Sequence, residues 1–401
     1  MELELLSPAG NMEKLKTAVY FGANAVYFSG KMFGLRAFAG NFENDEIAKA
    51  VEFCHKNNVK AYVTVNIVAH EVDFDGLKEY LELLDKSGVD AIIVSDLGIM
   101  SFAKKYAPRL DIHVSTQANV TNKYTAQMYA NLGAKRIVLA RELSLKEIKA
   151  IREYLDPNVE LEAFVHGAMC ISYSGRCLLS NFFAGRSSNH GECVQACRWG
   201  YEISAKDGKG EQYPIEQDDR GTYILNSKDL NMIEYIKDLA DAGVTSFKIE
   251  GRMKTAYYVA TVVNAYRRAI DMCKNNIPLT FEIKDELNKA SNRGYSTGLY
   301  FANDEKSVCL ETSTQKQTYD FVALVIDSDG EYITVEQRNR FKVGDELEVL
   351  SPNDSFNKKI KVLLMENQKG EKILDAKNVQ EIIKIKCDLP LASGDILRKK
   401  K

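Results

Sequence analysis

The chain has 401 residues, 45% of them apolar and 27% charged, and a formal net charge of −3. That length supports a large core and a second domain, and the balance is that of a globular chain, neither disordered nor collagenous. No apolar run approaches a membrane span, and the mild acidity is not the global signature of a dedicated nucleic-acid binder.

From the N-terminus, one unit repeats through the first two-thirds: a short apolar strand, a small-residue turn, an amphipathic helix. Leu3–Gly10 supplies a strand and its turn, and Asn11–Gly22 a helix. The second strand is Ala25–Gly30, and Glu43–Asn57 is helical, with Ile47, Val51 and Cys54 at helical spacing. Lys60–Asn66 is the third strand, Phe74–Lys86 the third helix. Strands at Ala91–Asp96, Asp111–Gln117 and Arg136–Glu142 alternate with helices at Leu97–Tyr106, Thr121–Leu132 and Leu145–Tyr154. Glu160–Gly167 and Ser246–Gly251 complete the strands, with a last helix running through Met272.

Eight strands alternating with helices predict a TIM-type (β/α)8 barrel over residues 1–276. A doubly wound sheet competes, but the first turn is no G-x-G-x-x-G and no phosphate-binding loop follows. A hairpin insertion is expected at about residues 198–226, with its turn at Lys206–Glu211 and a helix beginning near Leu230. Residues 277–318 read as a connector with a short helix at Asp285–Ser291. Residues 319–401 read as a small antiparallel β-barrel with strands at Asp320–Asp327, Tyr332–Gln337, Asp345–Ser351, Lys359–Met365 and Glu381–Cys387. Arg398–Lys401 reads as a frayed basic tail.

Four of the eight cysteines crowd one stretch, Cys170, Cys177, Cys193 and Cys197, spaced C-x6-C-x15-C-x3-C. The first residues are acidic and lack a signal-peptide core, so the expected compartment is the cytoplasm, where thiols stay reduced. The surrounding glycines, serines and asparagines mark a loop with little core to hide thiols. Metal binding is then the leading reading. The spacing is loose for a zinc ribbon and acceptable for a cubane cluster, and both stay open on spacing. Leaving from the seventh strand, the loop would hang over the barrel mouth. Ser7, Ser29, Asn66, Asp96, Gln117, Glu142, His166 and Glu250 also fall at or just after strand ends, where barrel chemistry gathers.

The stretches Glu162–Ser180 and Gly185–Trp199 carry a resemblance. So do Leu5–Gly10, Phe33–Phe42, Ser115–Val120, Arg141–Leu145, Ser227–Leu230, Phe247–Lys254 and Asn292–Gly298. Together they resemble the peptidase U32 family. The family was named for a collagenase-like protease activity. Its better-understood members resemble O2-independent hydroxylases of tRNA wobble uridine, of a ribosomal-RNA cytidine and, as accessory proteins, of ubiquinone. The length and Asn292–Gly298 are most similar to the tRNA branch. The resemblance implies a [4Fe–4S] cluster on Cys170, Cys177, Cys193 and Cys197, with zinc the alternative, a tRNA partner and a prephenate co-substrate.

His113 and His166, at strand ends, are then the expected proton donors or acceptors. Glu162, placed beside them in the same chemistry, is expected to face the barrel interior paired with Arg141 or Lys248. Arg36, Arg141, Lys248 and Arg252 are expected to clamp a polycarboxylate or RNA phosphate, against the plainer reading of structural ion pairs. Phe33, Phe38, Phe42, Tyr173, Phe182, Phe183 and Trp199 lie in predicted loops near the mouth as base platforms or core. Two alternatives stand beside the hydroxylase. One is a peptidase acting on protein through a Cys170–His166 pair, since H-E-x-x-H and G-x-S-x-G are both absent. The other is a non-catalytic scaffold tied by a metal.

Overall fold

The computed structural model describes residues 3–35, 40–199, 217–218, 221–222, 227–301 and 315–401. The eight predicted strands all form: β1 (Glu4–Pro8), β2 (Ala25–Phe28), β3 (Lys60–Val65), β4 (Ala91–Val94), β5 (Asp111–Val114), β6 (Arg136–Val138), β7 (Glu160–Ala168) and β8 (Ser246–Ile249). Each pairs in parallel with the next, and β8 pairs with both β7 and β1, which closes the barrel. The helices begin where the sequence offers a cap. Asn11 accepts from the Lys14 amide at 3.0 Å, Asp96 from Ile99 at 3.0 Å, and Ser144 forms a capping box with Glu147.

Side-chain alternation sorts the strands into two faces. Leu5, Val26, Val63 and Ile92 point outward into the main core beneath the helices. Leu6, Ala25, Tyr27, Tyr62, Ala91 and Ile93 form a separate apolar cluster inside the barrel. The interior also holds buried charge, linked at its lower rim to the exposed Glu160. Arg136 bonds Glu4 at 2.5 Å, Glu160 at 2.6 Å and Glu162 at 3.1 Å, and Lys248 bonds the other Glu162 oxygen at 2.7 Å.

Two corrections concern the segments that follow β7. The helix expected near Leu230 begins at Ile236, and Asp229–Asn231 is instead a short strand antiparallel to the end of β7. Leu230, Ile233 and Ile236 sit at helical spacing, but Leu230 is buried opposite Gly167 by pairing. The turn of the expected hairpin lies outside the described residues, although Gln217–Asp218 does pair antiparallel with Gly221–Thr222. The connector helix spans Phe281–Glu286, earlier than expected, and a 3-10 turn follows at Leu287–Lys289.

The C-terminal region is an eight-stranded antiparallel sheet curled into a half-barrel around its own core. Its order runs Lys359–Lys361, Glu346–Leu350, Ile396–Lys400, Tyr319–Ser328, Tyr332–Gln337, Ile382–Lys386, Met365–Asn367, Lys372–Ile373. The predicted frayed tail is therefore an interior strand. Arg398 is fully buried, held by Glu348 at 2.6 Å and Glu286 at 2.8 Å. The basic run was misleading because two buried carboxylates, distant in sequence, answer that charge.

Candidate active site at the barrel mouth

A cavity of about 120 Å3 lies between the C-terminal strand ends and the cysteine loop. Below it stand Tyr27, Thr64, Asn66, Ser115, Gln117, Arg141, Phe164, Lys248, Glu250 and Arg252; above it are Cys170–Gly175, Cys177, Ser188, Asn189, Cys193 and Cys197. Near the end of β7, Gly167 has a φ of +107° and a Cβ there would lie 2.5 Å from the Glu250 carbonyl oxygen, so the position admits only glycine. Further on, the Val68 amide donates to the Asn189 carbonyl at 3.2 Å. His190 bridges Ser187 at 2.9 Å and Asp73 at 3.2 Å. These contacts hold the loop down over the mouth.

All four clustered cysteines border this cavity, and none is bridged. Burial pushes the Cys197 thiol up, Arg198 opposes it, and Cys170, Cys193 and Cys177 add to it as neighbouring negative charges. Among the described residues, no three His, Cys, Asp or Glu side chains gather as the ligands of one ion would. The thiols ring a space rather than meet at a point. Four thiols bordering one cavity are a soft donor set of the kind that zinc and iron–sulfur groups both take.

Three of the four expected anion-binding cations line the same cavity. Arg141, 8% exposed, donates to the Ala168 carbonyl and to Ser174 Oγ, both at 3.1 Å, tying the end of β6 to the cysteine loop. Burial works against its charge, but Cys170 and Glu250 outweigh it and hold the guanidinium firmly protonated. Lys248 lies 4.4 Å from the Tyr27 ring centre, with Glu162 beneath it. Arg252 donates to Thr64 Oγ1 at 3.3 Å and to the Leu35 carbonyl. Glu250 is the one carboxylate among the described lining residues. Arg36 lies outside the described residues.

The expected proton-transfer residues are elsewhere. His113 is inside the barrel, its ring 4.7 Å from Tyr62, and does not line the cavity. Burial, reinforced by Arg136 and Lys248, holds its pKa well below the usual imidazole range. His166 is 1% exposed and faces outward, with the rings of Tyr258, Tyr266 and Tyr295 at 6.0, 5.4 and 5.4 Å. Alternation from Phe164 predicts an inward side chain. A bulge intervenes: Phe164 pairs with Lys248 but His166 with outward-facing Ile249. Burial, then Lys254, lowers its pKa to about 3. Glu162 is fully buried beneath the cavity and paired with Lys248, as expected, but its second partner is Arg136 rather than Arg141.

Sequence reasoning gave no role to Gln117, although its strand-end position was visible. Its Oε1 is buried at the cavity without a hydrogen-bond partner. A buried acceptor left unsatisfied calls for a donor from a ligand. Among the loop aromatics, Phe42 is core, 1% exposed and 4.6 Å from Phe28, and Phe33 packs on Tyr80; Phe38 lies outside the described residues.

The chain is similar over nearly its whole length to known proteins. It is 42% identical over 406 residues to tRNA hydroxylation protein P1 of Bacillus subtilis, covering 99% of this chain and 95% of that one. It is 33% identical to tRNA hydroxylation protein P of Escherichia coli, covering 92% and 90%. It is 43% identical to an uncharacterized protease of Methanocaldococcus jannaschii, covering 76% and 74%. The peptidase family U32 model matches residues 10–309, the barrel with its cysteine loop, and that of the U32 C-terminal domain matches residues 317–398. The chain belongs to peptidase family U32.

Proposed function

We propose that this chain is an RNA hydroxylase that converts the wobble uridine of tRNA to 5-hydroxyuridine without O2. It would act in the cytoplasm, with a [4Fe–4S] cluster on Cys170, Cys177, Cys193 and Cys197 and a prephenate-type polycarboxylate as oxygen donor. One observation carries the reading: the four thiols and three cations share a single cavity. The relatives named for tRNA hydroxylation, matched over almost their full lengths, support it.

When bound, the cluster supplies one-electron redox chemistry beside the cavity. The chain's own residues do the rest. Arg141 and Arg252 present guanidinium forks, and Lys248 a point charge, to carboxylates held out of water. Gln117 Oε1 accepts from a hydroxyl or N–H of the bound molecule. Glu250, the carboxylate in the lining, takes over the proton-transfer role expected of the histidines. The peptidase alternative needs an imidazole beside Cys170. His166 is enclosed on the outer face of the strand, so that alternative loses its base.

Two measurements test the reading. Anaerobically purified protein should show broad visible absorbance with about four irons per chain, lost in Cys170→Ser. One colourless zinc would overturn the cluster. Mass spectrometry of tRNA nucleosides from cells lacking the protein should show the loss of 5-hydroxyuridine derivatives, and unchanged levels would overturn the substrate.

A further inference from the structure

The cysteine loop has a second, outward face that the cavity does not use. Phe182 is 81% exposed, Phe183 45% and Trp199 42%. Their rings adjoin: Phe182 to Phe183 at 5.0 Å and 86°, Phe183 to Trp199 at 6.1 Å and 55°. Phe182 stands mostly in solvent and the other two rings are half-exposed, and an exposed apolar patch of this kind marks a contact site.

The patch is held in place. Phe182 and Phe183 ride on the short helix Leu179–Ala184, anchored by Ser180, 1% exposed, whose Oγ accepts from the Val194 amide at 3.2 Å. Val194 follows Cys193, so the rings and the thiols are set by one piece of backbone.

The charge of the loop that carries the patch selects the partner. Within residues 169–199, Arg176, Arg186 and Arg198 face the single acid Glu192, in a chain whose net charge is −3. Arg176 and Arg186 are exposed. Exposed aromatic rings on an arginine-bearing loop are what a single strand of nucleic acid uses, with bases on rings and phosphates on guanidinium groups. We infer that Phe182, Phe183 and Trp199 form a stacking platform for unpaired nucleobases of an RNA loop, next to the cavity rather than in it. The inference rests on the RNA reading above and adds the surface that presents the strand.

Trp199 is the only tryptophan in the chain, so its emission reports on the site. Adding an anticodon stem-loop RNA to the full-length protein should quench that emission, and a fully paired RNA duplex of equal length should not. By fluorescence anisotropy, Phe182→Ala with Phe183→Ala should bind the stem-loop roughly tenfold more weakly or worse, while Phe182→Tyr with Phe183→Tyr stays near the original affinity. Thermal melting identifies any variant that has failed to fold, and Trp199→Ala, expected to weaken binding in the same way, then carries the anisotropy comparison. Equal binding by the folded Ala variant would overturn the platform while leaving RNA as substrate. So would a change of oligomeric state in that variant by sedimentation, which would make the patch a self-association surface. No binding of any RNA by the unaltered protein would overturn the RNA reading itself.

Discussion

Two buried ionic networks show how differently one chain can use charge. At the seam between barrel and β-sheet, Arg398 and Lys289 face Glu286 and Glu348, with Asn357 completing the set. Cations and carboxylates are matched and intermixed, and none of the four lines a cavity described here. Inside the barrel the charges are sorted by height. Glu4 and Glu162, with the exposed Glu160 at the rim, gather around Arg136 toward the N-terminal end, whereas Lys248, Arg141 and Arg252 stand at the mouth with Glu250. The seam is neutral at every point, so it fastens. The barrel is polarised, so its mouth can hold an anion in a place of low dielectric, where such a charge is worth most.

The largest expected effect tests the seam. Arg398→Ala leaves Glu286 and Glu348 short of a buried partner and should cost about 3–5 kcal/mol, read by urea unfolding. A loss below about 1 kcal/mol would mean that water already reaches the site. At the mouth the balance should invert. Arg252→Gln removes a fork that points at the cavity and should lower hydroxylation roughly a hundredfold, measured as 5-hydroxyuridine formed per enzyme. Its unfolding midpoint should move far less than that of Arg398→Ala. Comparable destabilisation in both variants would erase the distinction between fastening and binding.

How much of this contrast could be read from the sequence follows from distance along the chain. The barrel was legible because strand and helix periods are local, and all eight strands appear where alternation places them. The thiols were legible because four of them crowd one loop, and three of the four cations expected at the mouth because strand ends converge on one face. Arg398 was not, since its partners lie 50 and 112 residues away and only folding shows that its charge is answered. His166 was not either. A one-residue bulge against β8 turns it outward, and nothing in the local pattern of β7 marks that bulge.

That turned histidine gives the next prediction. With its pKa lowered by burial from 6.5 to about 3, His166 stays neutral when folded across a range in which the unfolded chain takes up a proton. Stability is therefore whole above pH 6.5 and falls as the pH drops toward 3, by about 1.4 kcal/mol per pH unit for one group. His113, also lowered by burial, adds in the same sense. Urea unfolding as a function of pH should show His166→Gln flattening that slope by about one proton. Parallel curves would mean that His166 titrates freely in the folded protein.

The smallest expected effect is the sharpest test of the comparison, because it makes one replacement in both networks. Removing a buried pair together, unlike removing one member, leaves no orphaned charge, and well-packed apolar substitutes are often neutral. Arg398→Met with Glu286→Leu should therefore stay within about 1–2 kcal/mol of the parent, with Lys289 still paired to Glu348 and hydroxylation unchanged. Lys248→Met with Glu162→Leu also removes a matched pair, and Arg136 keeps Glu4 and Glu160. Its stability should change as little, yet it takes a cation from the cavity wall and should abolish most activity. If both doubles keep full activity, the positive mouth is architecture and not a binding site. If both lose it, the seam does more than join two domains, and the β-sheet module takes part in the reaction.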